Sequence, residues 1–143
     1  LTLEVSPLIT FIHVPKTAGS FVNSELENWR SGRNHIENII ENRRALREAC
    51  REAAWVSGHV PVSRMMQAVC SVTARPLRLC TLIREPAAQI ASHYNWLIEI
   101  HHRGGAFYEG HPEEIKRISS KIRASDNSNP DAIVENLSAF SGL

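Results

Sequence analysis

Apolar residues along the chain fall into two alternating kinds of pattern. Short continuous runs alternate with longer stretches in which every third or fourth position is apolar. Leu8 to Val14 (LITFIHV) is a run of β-branched and aromatic residues, which predicts a buried strand ended by Pro15. Ser20 to about Arg30 follows with Val22, Leu26 and Trp29 on one helical face, and Ser31-Gly32 breaks it. Asn34 to Ala54 carries Ile36, Ile39, Ile40, Leu46 and Cys50 at helical spacing. Glutamates and arginines share its other face, so a surface helix is expected. Trp55-Val56-Ser57 is a short strand candidate ending at Gly58-His59, and Val62, Met65, Met66 and Val69 predict a helix after it.

Leu77 to Ile83 (LRLCTLI) is the second clear strand. Pro86 stands at the first position of a helix whose stripe is Ile90, Tyr94, Leu97 and Ile98. Gly104-Gly105 is a turn. Pro112 opens a helix with Ile115, Ile118 and Ile122 inward and Glu113 and Glu114 in its first turn. Asp126 to Asn129 is a polar loop, and Asn129 caps a last helix running from Pro130 to near Gly142. Strands separated by helices imply a parallel sheet, with ligands at the carboxyl ends of the strands. Lys16, His59 and Arg84 all fall at such ends.

Composition narrows the function classes. The 143 residues, 43% hydrophobic, suffice for a single α/β domain spanning 1–143. A net charge of +1 argues against a general nucleic-acid binder. No apolar run reaches the ~20 residues of a membrane span, and no signal peptide is read. The chain starts at Leu1 rather than Met, so a segment upstream is expected. Cys50, Cys70 and Cys80 are odd in number and have no CxxC spacing, so they read as reduced, partly buried thiols, with one disulfide as the alternative in an oxidising compartment. Arg43, Arg44, Arg47 and Arg51 read as a solvated helix face, and His13 as a packed core residue. His101, His102 and His111 lack a metal-ligand pattern and read as exposed histidines near the Gly104-Gly105 turn.

Two segments carry chemistry. Lys16-Thr17-Ala18-Gly19-Ser20 is not a Walker A loop, because its glycine follows the lysine. Gly19 permits close backbone approach to an anion, Thr17 and Ser20 bring hydroxyls, and Lys16 brings charge. Arg84, followed by Glu85-Pro86 and then Ser92, is suited to a second phosphate. Two such sites suggest a ligand with two separated anionic groups.

Together, FIHVPKTAGSF and LIREPAAQIASHY resemble the sulfotransferases that use 3′-phosphoadenosine 5′-phosphosulfate (PAPS), most of all the heparan- and chondroitin-type carbohydrate O-sulfotransferases and their bacterial relatives. WVSGHVPVS is similar to that family's Gly-His segment, and the resemblance covers roughly residues 8 to 98. It implies a three-layer, P-loop-like sulfotransferase fold with a central parallel sheet flanked by helices. It also implies transfer of the sulfuryl group from PAPS to a carbohydrate or other glycan hydroxyl, a mechanism that needs no metal, so none is expected. Lys16 would contact the bridging oxygen, and Thr17, Ala18, Gly19 and Ser20 would hold the 5′-phosphate. Arg84 and Ser92 would hold the 3′-phosphate, and His59 would be the base. The resemblance would put the protein in the cytoplasm if bacterial and in the Golgi lumen if a fragment of a eukaryotic enzyme. Glu85 stands where the family often has Asp, and Gln89 where it has a further arginine, so weaker 3′-phosphate binding is expected. The family's domain continues past this chain's end, so a domain truncated at its C-terminal side is expected. The alternatives are a non-catalytic or truncated nucleotide-binding relative and a P-loop kinase-like phosphotransferase. The latter needs a Mg²⁺-holding carboxylate at a strand end.

Overall fold

The computed structural model describes residues 6–138. The chain is α/β, with a four-stranded, all-parallel sheet flanked by helices. It divides into two compact units, Leu1–Arg84 and Glu85–Leu143.

In the first unit the order is β1 (Leu8–Ile12), α1 (Gly19–Trp29), β2 (Gly32–Arg33), a 3-10 turn (Ile36–Asn38), α2 (Arg43–Glu52), β3 (Trp55–Gly58), α3 (Val62–Cys70) and β4 (Leu77–Thr81). The strand order across the sheet is β2-β3-β1-β4. β1 pairs in parallel with β3 (Ile9 with Trp55, Ile12 with Gly58) and with β4 (Leu8 with Leu77, Ile12 with Thr81). The strand ends at Ile12, Gly58 and Thr81 therefore share one edge.

Side chains alternate across the sheet. Leu8, Ile12 and Val56 face a core built with Leu46 and Cys50 of α2, Val60, and Met65 and Val69 of α3. Phe11 and Trp55, both buried, point to the opposite face. There the indole of Trp55 donates to the carbonyl of Arg30 at 2.7 Å, just past α1. Burial pushes the Cys50 thiol up to about 11, as suits a packing residue. The three cysteines are free; Cys70 and Cys80 are exposed.

Three expectations change. The stretch 34–54 is not one helix: a 3-10 turn and a loop precede α2, which restarts where the Asn42 side chain accepts from Ala45 N–H at 3.1 Å. Ile36 and Ile40 still reach the core, because burial rather than helical period fixes them. Trp29 is exposed, and the buried positions of α1 are Gly19 and Asn23. β4 stops at Thr81 and is a sheet edge, so Leu79, Leu82 and Ile83 remain exposed despite their apolar run.

The second unit is helical, with α4 (Pro86–Arg103), α5 (Gly105–Glu109), α6 (Glu113–Ala124) and α7 (Pro130–Ser138). Its core is Tyr94, Leu97 and Ile100 against Ile118 and Ile122, whereas Ile90 is exposed. The Tyr94 hydroxyl donates to Asn127 Oδ1 at 2.5 Å and accepts from Asn136 Nδ2 at 3.1 Å, which ties the loop and α7 to α4. Asn129 caps α7 through Asp131 N–H at 3.0 Å. The expected end of this helix near Gly142 lies outside the described residues. Among the described residues, no helix is long and apolar enough to cross a membrane.

At the amino-terminal edge of the sheet one guanidinium serves four carbonyls. Arg75 donates to Ser6 O at 3.0 Å, Pro7 O at 3.2 Å, Cys50 O at 2.8 Å and Ala53 O at 2.7 Å. It thereby ties the entry to β1, the end of α2 and the approach to β3. Replacing Arg75 by Met keeps the stem but strands these acceptors. Arg75→Met is expected to cost about 2–3 kcal/mol, read as a lower urea midpoint with an unchanged slope.

Candidate functional site

The candidate site is the carboxyl edge of the sheet in the first unit. β1 ends, Pro15 turns the chain, and Lys16 and Ala18 adopt left-handed backbone (φ 64° and 65°) with Thr17 between them. Non-glycine residues pay about 1–3 kcal/mol each for this conformation, and such strain gathers at functional turns. Alternation of this kind aims successive amides at one spot, as anion-binding nests do. The Thr17 hydroxyl donates to Val14 O at 2.8 Å and is buried, so in this structure it braces the loop. Gly19 and Ser20 then form the first turn of α1, and Ser20 is exposed.

Gly19 is required by contact. A Cβ there would overlap the His13 ring. His13 is buried between this helix start and His59, whose ring centroid is 4.0 Å from its own. Asn23 Nδ2 lies 3.5 Å from His13 Nδ1 and donates to Asn34 Oδ1 at 3.0 Å. Burial, and next the neighbouring His59, push His13 down to about 4, so it is a neutral packed ring, in line with its expected core role.

His59 lies just past β3 and is exposed. Its backbone N–H donates to Glu37 Oε2 at 3.1 Å. Glu37 Oε1 accepts from His35 Nδ1 at 3.0 Å. The Glu37 carboxyl lies below its ordinary range: burial opposes this, and hydrogen bonds from its own backbone, His35 and His59 outweigh it. His35 is the third described non-glycine residue with positive φ, 53°. Sequence reasoning missed His35 and Glu37, because both sat on an expected helix face. Asn34, a turn former, was the local signal. Among the described residues no group of three or more His, Cys, Asp or Glu side chains is arranged to hold a metal ion.

Arg84 lies three residues beyond β4, and its Nη1 reaches Lys16 O at 3.5 Å. Lys16, Thr17, Ala18, Gly19, Ser20, His59 and Arg84 thus share one edge of one sheet. Ser92 lies in the second unit, in the middle part of α4. The start of α4 differs from that of α1. Its first-turn amides at Ala87 and Ala88 are taken by the Glu85 carboxylate at 3.0 and 2.7 Å, so this helix carries its own anion. Two surface depressions of about 470 and 510 Å³ lie elsewhere, beside Gly32, Ala45 and Glu48 and around Arg30, Arg51 and Arg75. Neither is lined by Lys16, His59 or Arg84.

The titrations have a sign. The folded state resists protonation of His13, so stability should fall as pH drops from about 6.5 toward about 4. Glu37, held low, contributes stability above its ordinary value near 4.5, and this is lost as pH falls through its folded value. His13→Gln should flatten the upper part of this slope, read from urea midpoints at several pH values. An unchanged slope would mean that His13 is not the group concerned.

Compared with family models, curated proteins and solved structures, the chain matches none of them.

Proposed function

We propose that the protein is a PAPS-dependent O-sulfotransferase acting on a carbohydrate or other glycan hydroxyl, built on a P-loop-like sulfotransferase fold. One observation carries this reading: a strained, lysine-bearing loop, an exposed histidine and an arginine converge on the carboxyl edge of a single parallel sheet. The positive φ values at Lys16 and Ala18 suit a phosphate-binding turn, so the loop fits the donor's 5′ end.

The donor supplies the sulfuryl group. Lys16 holds positive charge where the leaving phosphate oxygen gains negative charge. The first-turn amides of α1 at Gly19 and Ser20 orient the 5′-phosphate. Arg84 offers a planar fork to the 3′-phosphate. His59 accepts the proton of the acceptor hydroxyl, a step suited to an imidazole near neutral pH. No described strand runs into an Asp, which a Mg²⁺-dependent kinase-like reading would require there.

Calorimetry tests the ligand. Adenosine 3′,5′-bisphosphate should bind more tightly than ADP without Mg²⁺. Arg84→Ala should weaken the bisphosphate far more than ADP, and equal loss for both would remove Arg84 from the 3′-phosphate.

Transfer of labelled sulfate from PAPS to a glycan panel tests catalysis. Lys16→Ala should lower turnover by about 10²–10³-fold while weakening bisphosphate binding less. His59→Ala should leave bisphosphate affinity near wild type and cut transfer on the order of 10²–10⁴-fold. A wild-type chain that binds the bisphosphate but transfers no sulfate would favour a nucleotide-binding relative without activity.

A further inference from the structure

Six residues of the first unit close a ring behind the candidate site. His13 meets Asn23, Asn23 donates to Asn34, and Asn34 Oδ1 accepts the His35 N–H at 2.7 Å. His35 donates to Glu37, Glu37 accepts the His59 N–H, and the His59 ring returns to that of His13. The ring joins the start of α1, the segment after β2 and the end of β3.

Its members are not equivalent. His13 is buried and neutral, so it does not carry the proton. Among the described residues the His59 ring has His13 and His35 as ring neighbours and no carboxylate hydrogen-bonded to it. His35 is exposed, and among the described residues only its Nδ1 is committed, to the Glu37 carboxylate at 3.0 Å. A carboxylate is acceptor-only when ionised, so the proton shared with it belongs to His35 Nδ1. The other nitrogen, Nε2, is then left with its lone pair. This is how a carboxylate fixes an imidazole's tautomer in acid–base sites. The His35 and His59 ring centroids are 6.5 Å apart, a gap one water can bridge.

We propose that Glu37 is the positioning residue of this edge and that His35 receives the proton which His59 takes from the acceptor hydroxyl. The inference rests on the sulfotransferase reading above. The acceptor O–H bond breaks, its proton goes to His59, and the oxygen's electron pair forms the new bond to sulfur. The bond from sulfur to the bridging oxygen breaks with its pair going to the phosphate. His59 then gives its ring proton to the bridging water, which gives one to His35 Nε2. The cation ends on the ring that has a carboxylate partner, which frees His59 for the next turnover.

Two measurements test it. ¹⁵N NMR of the imidazoles above pH 7 should show His35 as the Nδ1–H tautomer in the wild type. Glu37→Gln should lose that preference with the fold intact by circular dichroism. A wild-type His35 protonated at Nε2 overturns the positioning role. In the sulfate-transfer assay, His35→Ala should lower kcat about tenfold or more, with KM for PAPS within twofold. Added imidazole should restore part of the rate, which a purely structural defect would not allow. A wild-type chain that transfers sulfate while His35→Ala matches it overturns the relay alone. A wild-type chain that transfers none overturns the sulfotransferase reading and the relay with it, and the NMR result still decides whether Glu37 orients His35.

Discussion

Parallel pairing of β1 with a neighbour on each side puts the ends of three strands on one edge of the sheet, and the candidate site depends on that. A parallel sheet needs its connections to run back over its faces, so loops leaving β1, β3 and β4 meet where the strands finish. Lys16, His59 and Arg84 are distant in sequence and become neighbours of one edge through this pairing. At the opposite edge Arg75 satisfies four carbonyls that the turns into and between the elements leave without ladder partners. A buried carbonyl without a donor is costly, so the guanidinium acts as a clasp for the strand starts.

The carboxyl edge is also held by contacts specific to it. Its backbone holds all three positive-φ non-glycine residues found among the described positions. Such conformations persist only where surrounding contacts hold them. Here the contacts are specific: Thr17 on Val14, Gly19 against the face of His13, and Asn34 and Glu37 around His35. Strain and hydrogen bonding coincide at the positions proposed to meet the donor and the acceptor. A site that works by electrostatics and positioning needs such preorganisation.

Charge is arranged unevenly at the two helix starts that looked alike as sequence. α1 begins after a turn with a lysine and presents Gly19 and Ser20. α4 begins with Glu85, whose carboxylate already lies on two amides of its first turn. An anion near Arg84 would therefore rely on the guanidinium rather than on that helix terminus. Lys16-Thr17-Ala18-Gly19 and Arg84-Glu85-Pro86 differ physically in this respect, although each joins an apolar run to a helix.

Local patterns determined much of this protein. Proline and asparagine mark where α4, α6 and α7 begin, because they preset φ or cap amides whatever surrounds them. The runs at Leu8, Trp55 and Leu77 marked three strands, since burial on a sheet favours those residue types. The Lys16 loop and the placement of His59 and Arg84 past strand ends followed from the same reading. Tertiary structure alone decided the rest. The two-residue β2 exists only by pairing with β3, and it carries His35 and Glu37 to the site. The helical spacing over 34–54 was real but did not produce one helix, because Ile36 and Ile40 find burial from a turn as readily. The apolar run at Leu79–Ile83 says nothing of which strands flank it. An edge position exposes the same residues that a central position would bury, and strand order is a property of the whole sheet.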